Sequence, residues 1–151
     1  MKTFFNVRVY GILINEKNEL LVTDEFHFET LITKFPGGGL QFGEGTVDCI
    51  KREMMEETQT EIEVIRHFYT TDFFQQSAFN EAHQVIAIYY LIKPLQPLKI
   101  ILKEKQFDFD EKIDGAQIFR MVPLGKIKKE DFTFPVDQRV AELLVESGID
   151  D

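Results

Sequence analysis

The residues most suited to chemistry are three glutamates grouped within little more than one predicted helical turn. Glu53, Glu56 and Glu57 lie in a segment whose apolar residues recur at intervals of three and four, which is typical of an α-helix. At about 100° per residue, the three carboxylates fall within one arc of roughly 100°. Clustered carboxylates repel one another, and a hard divalent cation relieves the repulsion by taking their oxygens as ligands. The spacing therefore predicts a divalent metal site.

The position of these acids on the predicted helix favours a pocket wall over an ordinary solvated face. Val47, Ile50 and Met54 form the apolar stripe, within a neighbouring arc of about 60°. Glutamate is a good helix former, so acids alone would most often mark a surface in water. A solvated face normally lies opposite the buried stripe, whereas these acids lie at its margin. We therefore expect them to border a binding site.

A glycine-rich segment precedes the predicted helix. Pro36 is followed by three glycines, Gly37 to Gly39, which predicts irregular backbone. Because glycine has no Cβ, such a loop brings backbone groups close to a metal ion or a phosphate. Phosphoryl transfer depends mainly on positioning and on neutralised charge, which a loop and a metal ion together supply. The segment therefore favours chemistry on a phosphate-containing substrate.

The stretch from Gly38 to Thr60 resembles the Nudix box. The box reads Gly, five residues, Glu, seven residues, Arg-Glu, a bulky apolar residue, any residue, Glu-Glu, any residue, Gly and a bulky apolar residue. The positions of this chain that match are Gly38, Glu44, Arg52, Glu53, Met54, Glu56 and Glu57. Gln59 and Thr60 depart from the last two positions. Neither position supplies a ligand, so we expect the departures to affect the helix end rather than the metal site.

The resemblance implies a Mg²⁺-dependent hydrolase, with Mn²⁺ as a substitute, that cleaves the diphosphate linkage of a nucleoside diphosphate derivative or a nucleoside triphosphate. The implied metal ligands are Glu53, Glu56, Glu57 and the carbonyl of Gly38. Glu53 is also the candidate general base, and Arg52 would orient it. Glu44 would either support the site from outside the ligand set or assist as a base. Glu111 is a candidate for a further acid that the family often supplies from this part of the chain, although its acidic surroundings are also typical of a solvated loop.

Substrate recognition is less well defined by the sequence. With 15 Phe, 4 Tyr and no Trp, a nucleobase would have to stack on Phe or Tyr. The candidate substrate-binding residues lie downstream of the box: Phe73, Phe74, Gln76 and Phe79. A core position is the alternative for any one of these phenylalanines. No second motif selects one substrate, so ADP-ribose, dinucleoside polyphosphates, coenzyme A and NADH all stay open.

The remaining sequence predicts strands around two well-separated helices. The helices are predicted at 46–58 and 136–147, the second with Pro135 near its start and Gly148 after its end. Strands are predicted at 7–14, 19–23, 30–35, 61–65, 67–74, 84–92 and 117–122, the first two joined as a hairpin through a polar turn. This order indicates an α/β fold with a mixed sheet covered on both faces. The resemblance implies a Nudix-type α/β/α sandwich with a mixed central sheet and a loop-helix-loop catalytic motif.

Length, composition and charge support further expectations about domain count, partners and location. A chain of 151 residues with 44% hydrophobic content predicts one domain over residues 1–151. Its net charge of −9 argues against a non-specific nucleic-acid binder. The single cysteine, Cys49, excludes an intramolecular disulfide, and no segment has the length of a signal peptide or a membrane span. We therefore predict a cytoplasmic enzyme with a small-molecule partner, and the resemblance adds a possible homodimer.

Two rival functions fit parts of the pattern. A Nudix-fold module could sense a nucleotide without hydrolysing it, although a pure sensor would not require Arg52 and all four box glutamates. A structural domain with an incidental acidic cluster is the other alternative. Titration with Mg²⁺ or Mn²⁺ separates it, because incidental acids would show no saturable divalent site.

Overall fold

The structure is a computed structural model that describes residues 1–147. Gly148, the residue predicted to follow the last helix, lies outside the described residues. The strands are β1 (Phe4–Leu13), β2 (Glu19–His27), β3 (Thr30–Lys34), β4 (Gly37–Gly39), β5 (Ile62–Thr70), β6 (His83–Pro94), β7 (Leu102–Lys103) and β8 (Ala116–Pro123). The helices are α1 (Thr46–Thr58) and α2 (Pro135–Ser147), with short 3-10 helices at Leu124–Lys126 and Lys129–Asp131. None of the helices within residues 1–147 is long and apolar enough to cross a membrane.

The chain forms two compact units. The first unit contains Met1–Leu13 and Pro36–Lys99, and the second contains Ile14–Phe35 and the chain from Ile100 onward. Each unit holds one four-stranded sheet, in the order β4-β1-β6-β5 in the first and β3-β2-β8-β7 in the second. Each sheet has one parallel pair, β1 with β6 and β7 with β8, and its other pairs are antiparallel. The predicted mixed α/β fold class is therefore confirmed.

The first unit carries the whole predicted box. Helix α1 contacts β1, β4 and β5 and buries Cys49, Ile50, Met54 and Thr58. The larger buried side chains of the sheet itself include Val9, Tyr10, Ile12, Leu13, Ile62, Tyr89, Leu91 and Ile92. The helix therefore rests on an apolar sheet, while its other faces are left for polar side chains.

The bounds of α1 agree with the sequence prediction, and its end explains one departure from the box. Gln59 has φ 54° and ψ 30°, and its N–H donates to the carbonyl of Met55, so the helix ends with a left-handed residue. The next residue, Thr60, is fully buried, and its hydroxyl donates to the carbonyl of Thr58 at 2.9 Å. Both departures are accommodated, although Gln59 occupies a conformation that favours glycine.

Three expectations for the first unit were wrong. The three glycines form a short strand that pairs with β1, because an antiparallel partner satisfies their backbone groups. Val47 is 37% exposed, and Cys49 takes a buried place on the helix instead. The two strands predicted at 61–65 and 67–74 are the single strand β5, which has irregular register between Val64 and Arg66 and between His67 and Tyr69.

The second unit is built on β2, whose residues 20–26 are all buried. Its apolar core is formed by Leu20, Leu21, Val22, Phe26, Ile32, Phe35, Ile118, Phe119, Ile127, Phe132, Val136, Val140, Ala141 and Leu144. Phe35 stacks on Phe132 with ring centroids 4.6 Å apart. The predicted polar turn is present, since the Asn15 side chain accepts hydrogen bonds from the N–H groups of Lys17 and Glu19. The predicted hairpin between the first two strands was wrong. Only the isolated bridge between Ile14 and Leu20 pairs them, because β1 and β2 belong to different sheets.

Candidate active site

Arg52 is the centre of the hydrogen-bond network on α1. Its Nε and Nη2 donate to the two carboxylate oxygens of Glu44 at 2.9 and 2.7 Å. Its Nη1 donates to Glu53 Oε1 at 3.0 Å and to both oxygens of Glu56 at 3.3 Å. One guanidinium therefore contacts three of the four box glutamates, and its planar fork fits the bidentate pair with Glu44.

Arg52 also ties the helix to the glycine strand. Its Nη2 donates to the carbonyl of Gly39 at 3.0 Å, and its side chain is only 23% exposed. Hydrogen bonds to Glu44 and then to Glu53 and Glu56 raise the pKa of Arg52 above its already high ordinary value. The guanidinium is therefore a permanent, fixed cation between α1 and β4.

Glu44 is held mainly by this cation. Hydrogen bonds from Arg52, and a second from the N–H of Gln41 at 2.9 Å, lower the pKa of Glu44 from 4.5 to about 2. A carboxylate with so low a pKa takes up a proton poorly near neutral pH. The geometry therefore favours Glu44 as a group that positions Arg52 over Glu44 as a base.

Glu53 lies directly against Gly38. A Cβ built on Gly38 would stand 2.5 Å from Glu53 Oε1 and 2.6 Å from its carboxyl carbon. Only glycine at this position leaves space for the carboxylate where it lies. Arg52 holds the same carboxylate from the other side, and the Glu53 side chain is 14% exposed. Glu53 is thus fixed between a guanidinium and a strand without side chains.

The other two proposed ligands differ in exposure and contacts. Glu57 turns toward the glycine strand, where its Oε2 accepts the N–H of Gly37 at 3.2 Å. The side chain of Glu56 is 57% exposed and contacts Arg52. Gly38 lies opposite Val9 in the β1–β4 pair, and its carbonyl as a ligand stays a prediction. Glu53 and Glu57 therefore lie beside β4 through different contacts, whereas Glu56 is held by Arg52.

The donor set suits a hard divalent cation, because it consists of carboxylate oxygens beside a backbone that no Cβ shields. As the side chains stand, residues 1–147 contain no group of three His, Cys, Asp or Glu arranged to hold a metal ion. The acids are instead drawn to Arg52 and to the backbone of β4. The donor atoms are nevertheless carboxylate oxygens, which are the ligand type that a hard divalent cation prefers.

Cys49 is the one nucleophilic thiol near these groups. It is fully buried and donates to the carbonyl of Gly39 at 3.6 Å. Burial, followed by the neighbouring Glu44 carboxylate, raises the pKa of Cys49 to about 12. The thiol is therefore protonated at neutral pH and serves as a small packing residue.

Arg8 is a candidate site residue that the sequence reasoning missed. It lies opposite Gly39 in the β1–β4 register, and its Nη1 would be 3.7 Å from a Cβ built on Gly39. Its Nε donates to the Tyr10 hydroxyl at 2.6 Å. The available signal was an arginine within an otherwise mostly apolar strand, but only the strand register places it beside the box.

The predicted substrate-binding residues divide into two pairs. Phe74 and Gln76 line a surface cavity of about 250 Å³, together with Phe4, Phe5 and His83. The three phenylalanines of this cavity are between 55% and 70% exposed, so they are not core residues. Phe73 and Phe79, which are 39% and 47% exposed, are not among the residues that line it.

Glu111 belongs to the second unit. It lies in the loop before β8, where it is exposed and its carbonyl accepts the N–H of Ile113 at 3.0 Å. Its neighbours in the acidic stretch have structural partners, since Asp114 accepts the N–H of Phe28 at 2.8 Å and Asp110 pairs with Lys103 at 2.9 Å. A metal-binding role for Glu111 stays a prediction.

Comparison with known proteins agrees with this geometry. The sequence model of the NUDIX domain matches residues 5–143. The fold is similar to the crystal structure of a MutT protein from Methanosarcina mazei Go1, with a TM-score of 0.68, 19% identity, and coverage of 97% of this chain and 96% of that one. A NUDIX hydrolase from Nitrosomonas europaea gives a TM-score of 0.66 at 19% identity, covering 91% and 86% of the two chains.

An ADP-ribose pyrophosphatase from Streptococcus suis 89-1591 gives a TM-score of 0.61 at 15% identity, covering 97% of this chain and 93% of that one. No curated protein sequence matches this chain. At these identities the structural likenesses establish the fold alone. They confirm the predicted Nudix-type fold, while the sequence model carries the relationship itself.

Proposed function

Because this chain belongs to the Nudix hydrolase family, we propose that it is a Mg²⁺-dependent enzyme that cleaves the diphosphate linkage of a nucleoside diphosphate derivative or a nucleoside triphosphate. The observation that carries the proposal is the cluster on the middle and last turns of helix α1. There Arg52 binds Glu44, Glu53 and Glu56, and Glu53 packs against Gly38. A solvated helix face would not require a glycine strand shaped around one carboxylate.

Nudix hydrolases generally use divalent metal ions. In this chain we assign the metal to Glu53, Glu56 and Glu57, with the Gly38 carbonyl as a further ligand; Glu111 stays a candidate on the family resemblance alone. When bound, Mg²⁺ or its substitute Mn²⁺ would neutralise negative charge on the diphosphate oxygens and make water more acidic. The exposed Glu56 carboxylate is the one most open to solvent and therefore to an arriving ion.

The remaining catalytic roles are assigned to side chains of the protein. Glu53, fixed between Arg52 and Gly38, is the proposed general base that takes a proton from the attacking water. Arg52 positions Glu53, and Glu44 positions Arg52, because its low pKa keeps it a carboxylate. Glu44 thus holds Arg52, and Arg52 holds Glu53. This series of contacts orients Glu53 as the base, and Glu44 does not act as a second proton acceptor.

Two further groups are proposed to bind the substrate. Arg8, beside Gly39, supplies a guanidinium that suits a phosphate oxygen on a chain whose net charge is −9. The cavity lined by Phe74, Phe4 and Phe5 offers exposed rings for stacking a nucleobase, with the Gln76 amide for hydrogen bonding. Phe73 and Phe79 stay candidates for contact with the substrate.

The proposal treats both units as one Nudix domain, because the family match spans residues of each. Its partner is a small nucleotide-like molecule. A buried, unpaired Cys49 suits a reducing compartment, so we place the enzyme in the cytoplasm. A homodimer is the proposed assembly, which sedimentation of the purified chain measures directly.

A panel of nucleoside triphosphates, nucleotide sugars, ADP-ribose and dinucleoside polyphosphates, assayed for phosphate-containing products, tests the function. We expect turnover of at least one class with Mg²⁺ or Mn²⁺ and none with excess chelator. Saturable nucleotide binding without product from any member would instead identify a sensor module. Absence of both binding and turnover, with no saturable divalent site in a Mg²⁺ titration, would refute the proposal.

A further inference from the structure

The second unit contains a cavity that the proposed hydrolysis does not use. Its volume is about 300 Å³, near the lower end of the range for small-molecule sites. The polar groups on its wall belong to Thr33, Gln106 and Arg120. Lys126, the last residue of the first 3-10 helix, and Lys128, just before the second, also line it. We call it the lysine cavity.

The guanidinium of Arg120 is held rigidly in the wall of this cavity. Its Nε and Nη2 donate to the two oxygens of Asp24 at 2.5 and 2.9 Å, and Asp24 is fully buried. Asp24 is itself fixed by the Thr33 hydroxyl at 2.7 Å and the Phe107 N–H at 3.1 Å. An arginine has five N–H donors, so the pair with Asp24 leaves others available at a set position. Such a preorganised donor binds an anion at little entropic cost.

The two lysines add solvent-exposed positive charge. Lys126 and Lys128 are exposed, and neither forms an ion pair within the described part of the chain. One acid, Asp131, also lines the cavity, and its carboxylate accepts the backbone N–H of Lys128 at 3.0 Å. With Arg120 balanced by Asp24, two lysines face one aspartate, so the lining is positive on a chain whose net charge is −9.

The rest of the lining is apolar. Val22, Ile127 and Phe132 form part of the cavity wall, where each is itself largely buried, and Val122 adds a half-buried side chain. Phe132 is held in place by its stack on Phe35. A free inorganic anion would use only the cationic part of this cavity, whereas a ligand with an apolar body would use both parts.

We propose that the lysine cavity binds a small phosphate monoester with a planar body, of the size of a nucleoside monophosphate, without a metal ion. The phosphate would receive hydrogen bonds from Lys126, Lys128 and the fixed guanidinium of Arg120. The planar body would lie against the apolar lining. This binding needs no box glutamate, so it stands independently of the hydrolytic function.

Isothermal titration of the full chain with adenosine monophosphate, in excess chelator, tests the proposal. We expect a saturable single site, weakened about tenfold or more in a Lys126→Gln/Lys128→Gln double variant, since each lysine loses a charged hydrogen bond. Lys129→Gln is the matched control, because Lys129 lies in the same segment but does not line the cavity. It should bind as the wild type does, and all variants should melt at the wild-type temperature.

Two further ligands separate the phosphate from the rest of the molecule. Inorganic phosphate should bind more weakly than the nucleotide and show the same dependence on the two lysines, whereas adenosine should bind far more weakly than either. Equal affinity in wild type and double variant, an equal loss in the Lys129 control, or adenosine binding as tightly as its monophosphate would each overturn the proposal. So would the absence of saturable binding.

Discussion

Among the single residues, Arg52 has the most contacts with the box. Its hydrogen bonds to Glu44, Glu53 and the Gly39 carbonyl fix Glu53, the proposed base, and hold Glu44 as a neighbouring carboxylate. Glu56 shares the same guanidinium but is far more exposed. Four chemically identical side chains thus have different surroundings, which the spacing of the box does not reveal.

Replacing the proposed ligands by their amides tests these roles. Glu53→Gln and Glu56→Gln should each lower turnover by several orders of magnitude while the fold survives, because each change removes negative charge but keeps side-chain shape. Steady-state kinetics and thermal denaturation measure the two effects. Glu16→Gln, in an exposed turn, is the control and should leave both unchanged. Activity within tenfold of wild type in both ligand variants would rule out this mechanism.

Gly38 should be as sensitive as the acids. In Gly38→Ala the new methyl group would overlap the Glu53 carboxylate, which must leave its place against β4. We expect a loss of turnover of about a hundredfold, the size of effect that a misplaced catalytic group causes. Gly125→Ala is the matched control, since a Cβ there meets nothing within 4 Å. Wild-type kcat in Gly38→Ala would show that Glu53 does not depend on this glycine.

The pair between Glu44 and Arg52 should make stability depend on acid. Because folding lowers the pKa of Glu44 from 4.5 to about 2, its contribution is fully present above about pH 4.5 and is lost as the pH falls toward 2. Chemical denaturation of wild type and Glu44→Gln between pH 6 and pH 2.5 measures it. The stability difference between the two proteins should shrink as the pH falls. A constant difference across that range would contradict the assignment.

At the scale of elements, the end of α1 is where this chain departs most clearly from the box. Gln59 takes the left-handed conformation that the pattern assigns to glycine, and its N–H still closes the last turn on Met55. Thr60 then buries its side chain and satisfies its hydroxyl on the Thr58 carbonyl. The helix therefore ends where a glycine would end it, with a residue less suited to that backbone.

Gln59→Gly should relieve this strain. A side chain in left-handed geometry destabilises the folded state by on the order of 1 kcal/mol, which glycine avoids. Glycine also has more freedom in the unfolded chain, and this lowers the gain in stability by ~0.5 to 1 kcal/mol. Gln59→Asn tolerates the same backbone without that offset, so it should stabilise at least as much. Thermal denaturation compares the three proteins. A melting temperature several degrees lower for the glycine variant would contradict a left-handed Gln59.

Element prediction succeeded where one periodicity was long and uninterrupted. The bounds of α1 follow from a run of 13 residues with helical spacing. The glycine strand β4 was missed because glycine carries no pattern, and its strand character comes only from its partner β1. Cys49 replaced Val47 in the buried stripe because the sheet beneath α1, and not the helix alone, decides which side is covered.

At the scale of the whole molecule, the order of the strands could not be predicted from the sequence pattern. The parallel pairing of β1 with β6 joins residues about eighty positions apart, and nothing local encodes that choice. The same holds for Arg8 beside Gly39 and for Arg120 on buried Asp24, pairs that are recognisable only once the registers are known. The box residues could be found from the sequence because they are local, whereas the proposed substrate-binding groups come from distant segments.

The central claim is hydrolysis of a diphosphate linkage by attack of water on phosphorus, and the position of an isotopic label tests it most directly. The preferred substrate is hydrolysed in ¹⁸O-labelled water with Mg²⁺, and the products are weighed by mass spectrometry. Positive charge at the metal and at Arg8 would stabilise phosphate oxygens, which favours displacement at phosphorus. We predict one labelled oxygen on a phosphate-containing product. Label found only on a sugar hydroxyl would contradict the account.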